Sequence, residues 1–273
     1  MFICSVNKLD AFMPKNKPKI SGLIITLNEA NNIAEVINNL DFVDEIVIVD
    51  SFSNDETAEI AQQFPKVKFI QNAFDNFTDQ RNLALDHAKH EWVLFLDADE
   101  RLTPELTEEV ISEITSTETA DAYFFKRKFM FKQQPLHFSG WQTDKNIRLF
   151  KKSKCRYTKE RLVHEILNVK GSTKTLNHQL IHFSYIDYES YKAKMKSYAK
   201  LKAKELFLKG VKPNFFHFYI KPAYKFLHAY LIRLGFLDGK KGLIICYLNA
   251  LSVFHRYPEL KQLNQQEQEL QKT

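Results

Sequence analysis

The chain has 273 residues, of which 44% are hydrophobic and 26% are charged, and its formal net charge at pH 7 is +6. A chain of this length buries a substantial core and fits one large domain with an appendage or two modest domains. Its three cysteines are far apart, which argues against a disulfide framework and against a clustered zinc site. The longest run without a charged residue, Gly242 to His255, is shorter than the roughly 20 residues that a transmembrane helix needs.

Short apolar runs alternate with helical patterns over the first half of the chain. The runs are rich in Ile and Val and are predicted to be strands: Ile20–Leu27, Ile46–Val49, Val67–Ile70 and Trp92–Leu96. Between them, Ile33, Val36, Ile37 and Leu40 follow the spacing of one helix face, and Thr103-Pro104 is a typical helix start. Alternating strands and helices predict βαβ units, and therefore an α/β fold with a mostly parallel sheet flanked by helices.

Polar and acidic residues follow the predicted strands. They are Asn28-Glu29, Asp50-Ser51 and Asp97-Ala98-Asp99. In parallel sheets ligands bind beyond the carboxyl ends of the strands, so these side chains are expected at one site. No glycine lies between Gly22 and Gly140, which excludes a Walker A loop and a G-x-G-x-x-G turn in this region. Because carboxylates do not hold phosphate directly, we expect Mg²⁺ or Mn²⁺ to mediate, bound by Asp97 and Asp99.

Several of these motifs occur together in one known family. The stretches are TLNEANNI, EIVIVDSFSNDET, DQRNLALDHAKHEWVLFLDADERL, GWQTDKNIRLFKK and ERLVHE. Over about Lys19 to Ser184 the chain resembles the nucleotide-sugar domain of the family-2 inverting glycosyltransferases, and within them the branch of bacterial lipopolysaccharide-core β-glycosyltransferases. The resemblance implies the GT-A fold, which is a Rossmann-like sheet flanked by helices.

The resemblance also implies which residues bind the nucleotide-sugar donor. They are Thr26, Asn28, Glu29, Asp50, Ser51, Arg81, Asn82 and Asp97. Asp50 would accept a hydrogen bond from the nucleobase, and Arg81 would place positive charge near the diphosphate. Asp99 would bind the metal that bridges the diphosphate, while Asp97 would reach the ribose or the metal. The metal would act as a Lewis acid that stabilises the leaving diphosphate.

On the acceptor side, an inverting transfer needs one general base. Glu165 occupies the place where this branch carries its acceptor-side carboxylate and is assigned as the base, with His164 as the neighbour that tunes or replaces it. Asp144 is the second candidate for the base. Trp141 has a flat apolar face that can pack on a sugar ring. The planar guanidinium of Arg148 can donate two hydrogen bonds to a phosphate or carboxylate of the donor or the acceptor.

The function implied is transfer of a sugar from a nucleotide diphosphate sugar to a glycan or lipid-linked acceptor in cell-envelope polysaccharide or lipopolysaccharide synthesis. UDP-glucose is the donor expected from the family. One alternative is a non-catalytic protein that binds nucleotide sugars or glycans. A second alternative, nucleic-acid binding, is suggested by the basic composition, but no nucleic-acid motif accompanies it and only four arginines follow position 150.

The C-terminal part differs in charge from the rest. Residues 1–185 carry 23 Lys and Arg against 26 Asp and Glu, whereas residues 186–273 carry 16 against 7. This shift predicts a basic leader without a signal peptide (1–18), the catalytic domain (19–185), a helical, basic and aromatic region (186–260) and a frayed or disordered tail (261–273).

A basic ridge opens the C-terminal region and is followed by aromatic segments. Four lysines are spaced four residues apart: Lys192, Lys196, Lys200 and Lys204. This composition is typical of helices that lie in an anionic membrane interface, although a helical bundle with a solvated lysine face would have the same pattern. We expect peripheral contact with the cytoplasmic face of the inner membrane, and no nucleic-acid partner.

Overall fold

A computed structural model describes residues 17–158, 166–185 and 188–270. The strands are β1 (Ile20–Thr26), β2 (Glu45–Asp50), β3 (Val67–Gln71), β4 (Trp92–Asp97), β5 (Glu100–Arg101), β6 (Ala122–Phe131), β7 (Gln134–Pro135), β8 (Lys145–Lys151), β9 (Cys155–Thr158), β10 (Ile166–Val169) and β11 (Thr173–Tyr185). The α-helices are α1 (Ala30–Asn39), α2 (Thr57–Ala61), α3 (Phe77–His87), α4 (Pro104–Thr115), α5 (Tyr188–Leu208), α6 (Lys221–Leu227) and α7 (Gly239–Leu270). Within the described residues the chain divides into two compact units, one formed by 17–126, 145–158 and 167–180 and the other by 127–144, 166 and 181–270.

The centre of the first unit is a parallel sheet in the order β3-β2-β1-β4. β1, β2 and β4 are buried along almost their whole length, because helices cover both faces of such a sheet and leave no solvated side. A strand that is buried on both faces needs apolar side chains at nearly every position. This is why β1, β2 and β4 are the continuous apolar runs from which the strands were predicted. The predicted α/β fold with helices between strands is therefore confirmed.

Beyond β4 the sheet continues with antiparallel pairs. β8 pairs with β4, and β6 pairs with β8 with a register shift between Tyr123 and Phe124. The full order is β3-β2-β1-β4-β8-β6-β11-β5, and β9 and β10 form a separate two-stranded sheet. The sequence pattern did not indicate this antiparallel extension, which places Arg148 on the strand next to β4.

The predicted helix starts and faces are present in the first unit. The spacing of Ile33, Val36 and Ile37 puts all three on the buried face of α1. At α4, the hydroxyl of Thr103 accepts a hydrogen bond from the backbone N–H of Leu106 at 3.2 Å, and a proline occupies the first turn. Such an N-cap stabilises a helix by about 1 kcal/mol.

The second unit contains the long helices α5 and α7. The buried positions of α5, Tyr191, Met195, Ala199 and Ala203, are spaced four apart, so they form the face that packs on α7. α7 extends to Leu270, which makes most of the predicted tail helical. Across the described ranges, no helix combines the length and the apolar character needed to cross a membrane.

The buried carboxylate of Asp238 fixes a loop within the second unit. It accepts hydrogen bonds from the backbone N–H groups of His137 and Phe138, both at 2.9 Å, and from the hydroxyl of Ser139 at 3.1 Å. These three donors satisfy a carboxylate that would otherwise be costly to bury. Asp238 is therefore a structural residue of this unit.

Candidate functional site

The ends of three parallel strands bring the predicted donor-binding residues together. Thr26 at the end of β1 is opposite Asp50 at the end of β2, and Ile25 of β1 is opposite Asp97 at the end of β4. Neighbouring strands of a sheet are about 4.8 Å apart, so the two acids flank β1 at one edge of the sheet. The hydroxyl of Thr26 is buried without a hydrogen-bond partner among the residues that the structure describes.

Asp50 organises the loop that follows β2. Its carboxylate is fully buried and accepts hydrogen bonds from the backbone N–H of Ser53 at 2.9 Å, from the Ser53 hydroxyl and, more weakly, from the Gln71 amide at 3.4 Å. Between Asp50 and Ser53, Phe52 is exposed and has a φ of +59°, which is unusual for a bulky side chain. The hydrogen bonds to Asp50 hold this strained turn in place.

The loop after β1 is tied to the same turn. Asn28, which has a φ of +56°, donates its backbone N–H to the Ser53 hydroxyl at 2.8 Å and accepts from the backbone N–H of Asn54 at 2.9 Å. The backbone N–H of Glu29 donates to the Thr57 hydroxyl at 2.8 Å. The loop therefore has one defined conformation that depends on polar residues from both strand ends.

Ser51 and Glu29 use their side chains in local hydrogen bonds at this edge. The Ser51 hydroxyl accepts from the amide of Gln80, on α3, at 2.8 Å, and the Glu29 carboxylate accepts from the Asn32 amide at 2.7 Å. Ser51 directly follows β2, and Glu29 lies on the loop between β1 and α1.

Asp97 is held between two arginines. One carboxylate oxygen accepts a hydrogen bond from Arg81 at 2.8 Å, and the other accepts from Arg148. Arg148 also pairs with Glu100 at 2.7 Å, and Glu100 accepts the backbone N–H of Asp97 at 3.1 Å. Arg148 and Glu100 are almost completely buried, whereas the side chain of Asp97 is 28% exposed. The cluster contains two guanidinium groups and two carboxylates. The attraction between these opposite charges offsets the free-energy cost of burying them.

Glu100 was not among the residues that were assigned to the site from the sequence. Its carboxylate is shielded from solvent and orients the Asp-x-Asp turn through Arg148 and the backbone of Asp97. The only indication in the sequence was a third acid directly after Asp99. Burial alone would lower the pKa of Arg148, but the attraction of Asp97 and Glu100 is stronger, so its pKa is raised and the guanidinium stays charged.

Arg81 is fixed by aromatic rings as well as by Asp97. Its guanidinium is 4.7 Å from the centroid of the Phe95 ring and 5.6 Å from that of Tyr157. Asn82, the next residue on α3, exchanges two hydrogen bonds with the backbone of Tyr157, at 3.0 and 3.2 Å. These contacts anchor β9 to α3 and hold Arg81 beside the end of β4.

The turn that carries Asp99 is braced by Arg101. Its guanidinium donates to the carbonyl oxygens of Ala98 at 2.6 Å and Asn32 at 3.0 Å. Burial lowers the pKa of Arg101, and Glu35, Asp99 and Glu29 act in the opposite direction.

The residues at this edge fit a divalent cation that is shared with a phosphate ligand. No group of three His, Cys, Asp or Glu side chains able to hold a metal occurs within residues 17–158, 166–185 and 188–270. Mg²⁺, however, is commonly bound through one or two carboxylates together with substrate phosphates. Asp99 is half-buried on the turn after β4, directly beyond Asp97 and the cluster around it.

Of the residues predicted for the acceptor side, Trp141 and Asp144 belong to the second unit and Arg148 to the first. In the second unit, Arg127 pairs with Asp144 at 2.6 Å, and the Trp141 ring packs on Phe129 with centroids 4.0 Å apart. Trp141 is thus partly used in the packing of its own unit. Glu165 and His164 are outside the described residues. Arg148 belongs to the first unit and binds Asp97, so it supports the donor edge.

This fold is the GT-A fold of glycosyltransferases. A mannosyltransferase from Pyrobaculum calidifontis, solved in complex with GDP-Man and Mn²⁺, shares the fold with a TM-score of 0.51 at 17% identity, over 93% of this chain and 81% of that one. Residues 21–167 match the model of the family described as glycosyl transferase family 2. The chain belongs to glycosyltransferase family 2.

Two relatives are similar over nearly the whole chain. An uncharacterised glycosyltransferase of Rickettsia felis is 31% identical over 89% of this chain and 90% of its own length. The lipopolysaccharide core biosynthesis glycosyltransferase LpsC of Rhizobium meliloti is 26% identical over 88% of this chain and 94% of its own length. The similarity therefore includes the C-terminal helices as well as the family domain.

Proposed function

We propose that this glycosyltransferase moves a hexosyl group from a UDP-sugar, with UDP-glucose as the first candidate, to a lipid-linked glycan of the cell envelope, with inversion at the anomeric carbon. The similarity to LpsC supports an acceptor of the lipopolysaccharide-core type. In this proposal the enzyme works at the cytoplasmic face of the inner membrane as a peripheral protein.

The observation that carries the proposal is the cluster at the end of β4. Asp97 is neutralised and oriented by Arg81 and Arg148, while Asp99 provides a further negative charge beside it. An anionic diphosphate approaching this edge needs a cation between itself and Asp99. Mg²⁺ or Mn²⁺, when bound there, would supply Lewis-acid stabilisation of the leaving diphosphate.

On the donor side, each side chain has a distinct task. Thr26, with its buried unsatisfied hydroxyl, and the fixed loop of Asn28 and Glu29 border the base and ribose. Asp50 holds the Ser53 turn on which the base would rest, and Asp97, at the end of β4, would face the ribose or the metal. Asn82 acts indirectly, since its amide is used to hold Tyr157 and thereby Arg81.

On the acceptor side, the reaction is a single displacement. A base takes the proton of the acceptor hydroxyl as its oxygen forms a bond to the anomeric carbon, and the bond from that carbon to the diphosphate oxygen breaks. The nucleoside diphosphate leaves with the bonding electron pair. We assign the base to Glu165, with His164 beside it; Asp144 is a weaker candidate because Arg127 holds its carboxylate as an ion pair.

Glu165→Gln should lower turnover by about 10² to 10⁴, because glutamine keeps the size of the side chain but cannot accept a proton. Donor affinity should be almost unchanged, since the base contacts only the acceptor. Steady-state rates and donor titrations measure the two effects separately. Asp144→Asn is the matched control, and a large loss in that variant with full activity in Glu165→Gln would move the base to Asp144.

The proposed activity is tested with a donor screen followed by analysis of the product. UDP- and GDP-sugars are titrated in the presence of Mn²⁺ while the Tm is recorded, because a ligand that binds only the folded protein raises stability. The preferred donor is then incubated with lipopolysaccharide-core acceptors, and the anomeric configuration of the product is determined by NMR. Donor binding without any transfer would support a non-catalytic binding protein instead.

A further inference from the structure

A continuous stretch of the second unit, residues 215–237, exposes an unusual number of large apolar side chains. We call it the aromatic segment. It contains eleven such residues: Phe215, Phe216, Tyr219, Ile220, Tyr224, Leu227, Leu231, Ile232, Leu234, Phe236 and Leu237. They are about half of the large exposed hydrophobic residues in the described part of the chain. Surfaces of this kind on a folded protein usually mark a site of protein or membrane contact.

The helical part of the aromatic segment has two different sides. It consists of π-helical turns at Phe216–Ile220 and His228–Ile232 on either side of α6. The exposed residues at positions 216, 220, 224, 227 and 231 recur every three or four positions, and therefore form one stripe. Pro222 and Ala229 are buried and seven positions apart, which places them on the opposite side. The segment is thus held by one side and leaves an apolar stripe uncovered.

The charges around this stripe are almost all positive. Between residues 212 and 241 the cations are Lys212, Lys221, Lys225, Arg233, Lys240 and Lys241. The one acid in that range, Asp238, is buried and satisfied by the loop at residues 137–139. Within residues 212–241 an exposed apolar stripe is thus combined with basic residues and without an exposed acid. This combination complements a membrane surface, which has an apolar interior and anionic headgroups.

The lysine ridge of α5 has a different environment. The positions directly before Lys192, Lys196, Lys200 and Lys204 are the buried face of α5 that packs on α7. Lys192 lies over the ring of Tyr188, with its ammonium 5.6 Å from the ring centroid. The row of apolar residues four positions apart on this helix is therefore used in packing, and its exposed large hydrophobic residues, Tyr198, Leu201 and Leu208, are far fewer than those of the aromatic segment.

We infer that the aromatic segment is the surface that inserts into the interface of an anionic bilayer, with its stripe among the acyl chains and its cations at the headgroups. The inference takes from the proposed function only that the acceptor is lipid-linked. Vesicle binding is measured without donor or acceptor, so the inference and the proposed transfer reaction can fail independently.

The test is a variant of the full chain with Phe216→Gln, Tyr224→Gln, Leu227→Gln and Leu231→Gln. These side chains are at least half exposed, and glutamine is a good helix former, so folding should be retained and is checked by the Tm. Removing one apolar side chain that is inserted in the bilayer weakens the partitioning of a protein from water to the membrane by roughly tenfold. Because immersion in the interface is partial, we expect the four changes to lower the affinity for phosphatidylglycerol-containing vesicles by about 10²-fold.

Two control variants distinguish the explanations. Leu208→Gln with Leu270→Gln removes exposed leucines outside the aromatic segment, and should change vesicle affinity by less than about threefold if the segment alone inserts. A second control changes Lys192, Lys196, Lys200 and Lys204 to Gln. It should weaken binding less than the aromatic variant, and only at low salt, where surface charges are poorly screened.

Three outcomes would overturn the inference. The first is unchanged vesicle binding of the aromatic variant. The second is loss of binding only in the lysine variant, which would assign docking to the α5 ridge. The third is a wild-type protein that ignores vesicles and is dimeric by light scattering while the aromatic variant is monomeric, which would make the stripe a contact between two copies.

Discussion

Asp99→Ala should reduce sugar transfer by about 10³-fold or more, while the Tm stays close to that of the wild type. A bound cation stabilises transition-state charge by several kcal/mol, and each 1.4 kcal/mol corresponds to a factor of ten in rate. Asp99 is half-buried on the turn after β4 and is not one of the core residues, so the fold should tolerate the change. The measurements are initial rates over a Mn²⁺ titration and a thermal melt.

Glu118→Ala is the matched control for Asp99→Ala, because it removes an exposed acid on the loop between α4 and β6. Its activity should be normal. Full activity of the wild-type enzyme in excess EDTA would contradict the cation-bridged mechanism, and so would a wild-type rate in Asp99→Ala. Activity lost in Asp99→Ala but retained by the wild type in EDTA would assign Asp99 to direct donor binding.

Arg148→Met should lower the free energy of unfolding of the first unit by about 3–5 kcal/mol, because it removes a buried cation that pairs with the buried carboxylate of Glu100. The side chain of Glu100 is 0% exposed, so water cannot replace the lost partner. Asp97 would lose one of its two arginines as well. Denaturant unfolding followed by the fluorescence of Trp92, in a Trp141→Phe background that removes the other tryptophan, reports on this unit.

The comparison for Arg148→Met is an ion pair at the surface of the same unit. Arg156 and Asp86 are bonded at 2.5 Å but are both more than half exposed, so Arg156→Met should cost less than about 1 kcal/mol. Adding Glu100→Gln to Arg148→Met should recover part of the stability, since it removes the stranded charge. Equal losses for Arg148→Met and Arg156→Met would show that the buried cluster has no special role in stability.

The sequence determined the fold of the first unit because local patterns there agree with the tertiary structure. Strands buried on both faces have to be continuous apolar runs, and β1, β2 and β4 are such runs. The N-cap of α4 at Thr103 and the buried face of α1 depend only on residues within one or two helical turns of each other. The meeting of strand ends at one edge follows from the parallel order, so the positions of Asp50 and Asp97 beside β1 could be predicted as well.

The tertiary structure alone decided which charges are paired and which apolar groups are covered. Arg148 reaches Glu100 and Asp97 from an antiparallel strand about 50 positions later in the chain, and no local pattern encodes that pairing. Asn82 became a support for Tyr157 because β9 returns to α3. Periodicity likewise shows that a helix has an apolar side but not whether a neighbour covers it. The long-range packing decides this, burying one face of α5 and leaving the stripe of the aromatic segment exposed.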